Sequence, residues 1–137
     1  MRVLIVDDHA AIRTSVRSTV DGYEGLEVVG EASNGEEAIA QVTKVRPDLL
    51  IMDISMPVLD GLSAAEIIKR YYPQVRILVF STHRIREFVE TAMKLGLSGY
   101  VLKEEDGPSL LKAVDAVLDN QTYFPPDRYQ KSSGTSL

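Results

Sequence analysis

Apolar and polar positions along the chain follow two rhythms. Five short apolar runs, Val3-Leu4-Ile5-Val6, Leu26-Glu27-Val28-Val29-Gly30, Leu49-Leu50-Ile51-Met52, Ile77-Leu78-Val79-Phe80 and Gly99-Tyr100-Val101-Leu102, are separated by segments of helical periodicity. Three of the runs are wholly apolar. Strands buried on both faces need that pattern, so the chain is expected to be an α/β domain with a parallel sheet covered by helices. No internal repeat, low-complexity block or interior linker interrupts the alternation.

The intervening segments carry their own boundaries. Ile12, Val16 and Val20 make one apolar stripe on a first helix, which Asp21-Gly22 breaks. Asn34 reads as the cap of a second helix with Glu36 and Glu37 in its first turn and Ala38, Ile39, Val42 and Val45 on its apolar side; Pro47 bars continuation. A third helix is expected over Leu62 to Tyr71 and a fourth over Arg86 to Leu95, with Gly96 suited to the left-handed residue that ends a helix. The last begins near Pro108 and carries Leu110, Leu111, Val114, Val117 and Leu118. From Gln121 the pattern fails. Tyr123-Phe124-Pro125-Pro126 cannot extend a helix, and Lys131-Ser132-Ser133-Gly134-Thr135-Ser136 has the composition of a flexible linker. The expected organisation is one domain over 1–120 and a linker or tail over 121–137.

Composition narrows the chemistry. The 137 residues contain no cysteine, which excludes a disulfide scaffold and thiol-bound zinc. The apolar run at the start is too short for a signal sequence or membrane span, and a cytoplasmic location is the default expectation. The formal net charge is −5, and no Lys/Arg cluster is dense enough to track phosphates, so direct nucleic-acid binding by these residues is not expected.

In an open parallel sheet, ligands collect beyond the carboxyl ends of the strands. Asp7 and Asp8 follow the first apolar run, Asp53 the third, Ser81 the fourth and Lys103 the fifth. Each alone has a mundane reading, because acids after strands cap helices and a lone lysine is usually solvated. Together they place three carboxylates, a hydroxyl and an ammonium on one edge. Three nearby carboxylates repel one another unless a cation neutralises them, the arrangement Mg2+ seeks with its oxygen ligands and retained waters. Lys103, a compact point charge, suits a phosphoryl oxygen.

The segments V-D-D-H at Val6 to His9, M-D-I-S-M-P-V-L-D-G at Met52 to Gly61, F-S-T at Phe80 to Thr82 and G-Y-V-L-K at Gly99 to Lys103 resemble the receiver domain of two-component response regulators. Their order and spacing match from about residue 1 to residue 120. The resemblance implies a flavodoxin-like, doubly wound parallel sheet of five strands in the order 2-1-3-4-5 with five helices. It implies that Asp53 accepts a phosphoryl group from a phosphohistidine on a sensor histidine kinase, the domain supplying much of the catalysis and slowly dephosphorylating itself. Asp8, Asp53 and the backbone carbonyl of Ser55 would bind Mg2+ directly, with Asp7 acting through a metal-bound water. Lys103 would hold a phosphoryl oxygen. Ser81 would swing towards another, and Tyr100 would turn inward as the switch partner.

One departure is informative. The family's usual Lys-Pro pair is replaced by Lys103-Glu104-Glu105-Asp106. That ending, with Gly107-Pro108 and Tyr123-Phe124-Pro125, resembles the NarL/FixJ branch, whose output is a LuxR-type helix-turn-helix. No such motif lies in this sequence, so DNA contact would belong to residues outside it, and homodimerisation on phosphorylation is an expectation that the resemblance to the family implies. His9 is read as exposed beside the cleft rather than as a ligand, since no second histidine is near it in sequence. His83, Ser55 and Thr82 stand where the family tunes access of hydrolytic water.

Other classes fit less well. A haloacid-dehalogenase-like phosphatase needs an Asp-x-Asp pair, but Asp7 and Asp8 are adjacent and His9 stands where the second acid belongs. A flavodoxin-like flavin carrier needs hydroxyl and glycine donors in its first loop, where Asp7-Asp8 would repel the phosphate. A phosphorylation-independent or free-standing receiver acting as an interaction module keeps the fold, but the complete acid, hydroxyl and lysine set argues against it.

Overall fold

A computed structural model describes residues 1–103 and 107–125, without the side chains of 107 and 108. The Glu104-Glu105-Asp106 departure and the Lys131 to Ser136 stretch lie outside the described residues. The elements run β1 (Arg2–Val6), α1 (Ala10–Asp21), β2 (Glu27–Ala32), α2 (Gly35–Val45), β3 (Leu49–Met52), α3 (Gly61–Tyr71), β4 (Arg76–Ser81), α4 (Arg86–Lys94), β5 (Gly99–Leu102) and α5 (Gly107–Leu118). The five strands are all parallel, in the order β2-β1-β3-β4-β5.

Period-two alternation sends successive strand residues to opposite faces, and two apolar layers result. Leu4, Val6, Leu50, Met52, Ile77, Val79, Tyr100 and Leu102 pack with Ala38 and Val42 of α2, Ala64, Ala65 and Ile68 of α3, and Val89 and Ala92 of α4. Val3, Ile5, Leu49, Ile51, Leu78 and Val101 pack with Val16 and Val20 of α1 and Leu110, Ala113, Val114 and Val117 of α5. The central β3 is buried throughout, as its uninterrupted apolar run requires.

Several boundaries move relative to the sequence reading: β1, β4 and α3 each begin one residue earlier, β4 also ends one residue later at Ser81, and β2 and α4 change as follows. β2 spans Glu27–Ala32, later than the Leu26–Gly30 run, because Gly30, Glu31 and Ala32 pair with Leu4, Ile5 and Val6 after a register shift between Val3 and Leu4. An edge strand needs only one apolar partner layer, so polar Glu31 is tolerated there and hides the strand from an apolarity count. The fourth helix ends at Lys94, with Leu95 as its cap and Gly96 at φ +75°.

Helix starts follow side-chain caps where the sequence supplies them. Asn34 accepts from the N–H of Glu37, and Asp60 accepts from the N–H of Ser63, each satisfying a donor that the first turn leaves unpaired. Gly61 opens α3 under the Asp53 carbonyl oxygen; a Cβ there would lie 2.0 Å from it. Only glycine lets the helix start approach so closely behind the acid-bearing loop.

Beyond α5 the chain returns to the sheet. Tyr123 forms a parallel bridge with Gly99, its N–H donates to Ser98 O at 3.0 Å, and its carbonyl accepts from the Tyr100 N–H at 2.8 Å. Tyr123 joins the α1/α5 layer and Phe124 the α2/α3/α4 layer, so the segment straddles the β5 edge. Among the described residues no helix is long and apolar enough to cross a membrane.

Candidate functional site

The sheet topology brings Asp7 and Asp8 after β1, Asp53 after β3, Ser81 at the end of β4 and Lys103 after β5 to one edge. Asp8, Asp53, Ser55 and Lys103 line an open cleft of about 350 Å³ together with Thr82 and His83, while His9 and Ile12 form its rim. Asp7, Asp53 and Ser81 are buried, an unusual state for two carboxylates, and each is held by specific partners.

Asp53 has a fixed orientation. Its Oδ1 accepts from the N–H of Ile54 at 2.8 Å, and its Oδ2 lies 3.4 Å from the Lys103 ammonium. Lys103 is nearer still to Asp7, donating to Oδ2 at 2.7 Å. The other Asp7 oxygen accepts from the N–H of His9 at 2.9 Å. Burial pushes the Asp53 carboxyl above its ordinary range; Lys103 opposes the rise, and the charge on Asp7 adds to it.

Asp7, Asp8, His9 and Asp53 each offer a ligand atom, and these atoms all lie within 4.8 Å of one another. Three of the four are carboxylate oxygens, the donor set of a hard divalent cation. Asp53's proton affinity is raised chiefly by burial, with the charge of Asp7 adding to it against Lys103, and a cation among the acids would favour the ionised form. The residues therefore fit Mg2+. His9 stands at the rim with its side chain 66% exposed and Nδ1 3.1 Å from both Asp7 Oδ1 and Asp8 Oδ1, beside the acids as the sequence suggests.

Ser81 and Tyr100 do not reach the cleft surface. The Ser81 hydroxyl accepts from the N–H of His83 at 3.0 Å, and the Tyr100 hydroxyl donates to the carbonyl of the same residue at 2.7 Å. Tyr100 is fully buried on the α4 side of the sheet, its ring inward. Burial is the chief reason its phenol is pushed up to about 12; a hydrogen bond with Ser81 works the other way and the charge of Asp53 adds to the rise. His83 is thus tied by its N–H to one of these residues and by its carbonyl to the other, and its ring meets Phe88 of α4 edge-on at 5.5 Å.

One residue escaped the sequence reading. Arg13 of α1 donates from Nη1 to the Asp7 carbonyl oxygen at 2.6 Å and from Nε to Glu31 at 2.9 Å. No sequence signal separates it from an ordinary solvated helix arginine, because its Glu31 partner arrives only once β2 lies beside β1.

The sequence profile described as response regulator receiver domain matches residues 3–115. The chain is 36% identical over 126 residues to the transcriptional regulatory protein DegU of Brevibacillus brevis, covering 92% of this chain and 53% of that protein. It is 39% identical over 112 residues to the nitrate/nitrite response regulator protein NarL of Escherichia coli K12, covering 82% and 52%. It therefore spans about half the length of these curated relatives. Among solved structures, a LuxR-family two-component response regulator from Aurantimonas sp. SI85-9A1 superposes with a TM-score of 0.87 at 33% identity, covering 92% of this chain and 90% of that one. The isolated receiver domain of RcsB from Salmonella enterica serovar Typhimurium, solved with phosphomimetic BeF3−, gives 0.86 at 30% identity, covering 91% and 93%. With the five-stranded 2-1-3-4-5 sheet, these likenesses place the chain in the response-regulator receiver domain family, among receivers of the NarL/DegU type.

Proposed function

We propose that this domain accepts a phosphoryl group on Asp53 from a sensor histidine kinase, with Mg2+, and uses it to switch an output carried elsewhere in a longer protein. The observation that carries this reading is Asp53 itself. One carboxylate oxygen is pinned by a backbone N–H and the other faces a cleft beside Lys103, in the midst of the acids.

In the proposed reaction, an Asp53 oxygen attacks the phosphorus of a phosphohistidine, the P–N bond breaks, and the imidazole leaves with the electron pair and takes up a proton. Lys103 would leave Asp7 to hold a phosphoryl oxygen. Asp8, Asp53 and the Ser55 carbonyl would hold Mg2+, with Asp7 contacting it through water. Bound there, the cation offsets the negative charge of the transferring group.

The switch follows from the two ties on His83. A Ser81 hydroxyl that turns towards the phosphoryl group abandons the His83 N–H, while Tyr100 keeps the His83 carbonyl, so the β4–α4 loop has to re-form. A bias of a few kcal/mol suffices to change which arrangement predominates. By likeness to its transcriptional relatives, residues 1–120 would form the phosphoacceptor unit, with Tyr123 and Phe124 still packed on its β5 edge, and the remainder of 121–137 would lead towards a LuxR-type helix-turn-helix, homodimerisation coupling phosphorylation to DNA binding in the cytoplasm.

Incubation with acetyl phosphate and Mg2+ is expected to add one phosphoryl mass to the intact protein, and Asp53→Asn to abolish the gain. Unchanged mass in the native chain overturns the proposal.

A further inference from the structure

We infer that Arg13 is a positioning residue: it fixes the peptide plane between Asp7 and Asp8 and so directs the Asp8 carboxylate towards the divalent cation. The inference rests on the reading of this cleft as a Mg2+-assisted phosphoacceptor site.

The geometry starts where β1 runs out. The Asp7 N–H still belongs to the sheet, donating to Ala32 O at 3.0 Å. Its carbonyl is beyond the last β1 residue, and Arg13 supplies the donor there, Nη1 to O at 2.6 Å. The same guanidinium is braced by Nε to Glu31 Oε1 at 2.9 Å. Glu31 is itself gripped at Oε2 by Arg17, from Nε at 2.9 Å and Nη2 at 2.7 Å. Consecutive β2 residues thus restrain both backbone polar atoms of Asp7, Ala32 directly and Glu31 through Arg13. A peptide unit is planar, so orienting the Asp7 carbonyl orients the nitrogen and Cα of Asp8.

At the start of α1 the His9 ring, 66% exposed, lies 3.1 Å from the Asp8 carboxylate, but among the described residues Arg13 is the side chain that holds the Asp7 carbonyl. The helix begins at His9 with no side-chain cap, and the His9 N–H is committed to the Asp7 carboxylate. Arginine is also the residue the task requires. Its rigid planar fork donates in two directions at once, to a carbonyl and a carboxylate, whereas a lysine ammonium on a flexible stem is a point charge. The side-chain bonds of Arg13 go to the Asp7 carbonyl and to Glu31, and Arg13 is not among the residues lining the cleft, so it acts through the backbone.

Charge and position predict opposite effects, and that makes the inference testable. A guanidinium near a cation site repels the cation, so deleting Arg13 for its charge alone would tighten Mg2+ binding. Deleting it as a positioning group weakens binding, because groups that orient metal ligands typically contribute 10- to 100-fold in affinity, and one acting through a backbone carbonyl belongs near the lower figure of about 10-fold.

The experiment is calorimetric titration of the 137-residue chain with Mg2+ alone, with thermal melts of the same samples in chelator. Arg13→Met is expected to weaken Mg2+ binding about 10-fold. Arg13→Lys keeps the charge and recovers only part of the affinity. Glu31→Ala, which removes the brace without touching the loop, weakens binding in the same direction by less and keeps the test open should Arg13→Met fail to fold. Affinity unchanged or tightened in Arg13→Met, or a lowered melting temperature with wild-type affinity, overturns the inference while leaving the phosphoacceptor reading intact. A wild-type chain that takes no Mg2+ overturns both.

Discussion

The Lys103 ammonium lies 2.7 Å from Asp7 and 3.4 Å from Asp53, so one cation serves two buried carboxylates and is shared unequally. Removing it strands both charges. Lys103→Met is expected to lose about 3 kcal/mol, the cost of breaking a buried pair, seen as a lower urea midpoint at unchanged slope. Mg2+ should recover more stability in the variant than in wild type, since the Asp7 oxygen that Lys103 occupies is then free for the cation's water shell. Equal recovery in the two proteins would contradict this sharing.

Asp53 is a liability to the resting fold. Burial, helped by Asp7, raises its carboxyl above the ordinary range although Lys103 opposes the rise. An acid raised in the folded state contributes stability at low pH and loses it as pH climbs through its folded value, where the unfolded chain already holds fewer protons. At neutral pH the ionised side chain therefore disfavours folding. Asp53→Asn in Mg2+-free buffer is expected to be more stable by on the order of 1 kcal/mol, an advantage that shrinks as pH falls through the carboxylate range. A variant less stable than wild type at pH 7 would refute the sign.

Tyr100 makes an alkaline counterpart. Its phenol is pushed up to about 12 from an ordinary 10.0, mainly by burial. Stability is fully present below the ordinary value and is lost as pH rises towards the folded one, because the unfolded chain releases its proton first. Tyrosinate absorbance should contain a component near 12 that disappears in Tyr100→Phe. That variant also gives up the bond to the His83 carbonyl, at a cost of about 1 kcal/mol.

The edge of β5 is tuned for the returning chain. A Cβ on Gly99 would lie 2.4 Å from the Tyr123 carbonyl oxygen and 2.8 Å from Leu78 Cδ2. Gly99→Ala must displace the backbone bridge, and a loss of about 2 kcal/mol is expected, as for overpacking elsewhere. Hydrogen exchange at the Tyr100 amide, which donates to Tyr123, should accelerate; undiminished protection would show that the bridge survives.

Val58, in the loop between Asp53 and α3, has φ +69° and is 72% exposed. A β-branched residue pays a steric penalty in the left-handed region, and here it recovers little by burial. Val58→Asn is expected to stabilise the domain by about 1 kcal/mol. A lower melting temperature would indicate that the valine side chain has a packing role.

The sequence by itself determined a good part of this protein. Runs such as Leu49 to Met52 read as strands buried on both faces, and Asn34 and Gly96 are local signals whose physics operates within a few residues. The strand-end positions of Asp7, Asp8, Asp53, Ser81 and Lys103 needed only the rule that parallel strands present their carboxyl ends to one edge. Tertiary structure decided what those residues do to one another. Lys103 meets Asp7 across 96 positions, His83 is bonded to both Ser81 and Tyr100, Tyr123 returns to Gly99, and Arg13 beside the Asp7 carbonyl is braced by Glu31, brought alongside by an edge strand too polar to announce itself. Periodicity encodes which face a residue takes. It carries no record of which distant partner waits there, since that depends on strand register and helix placement set by the whole core.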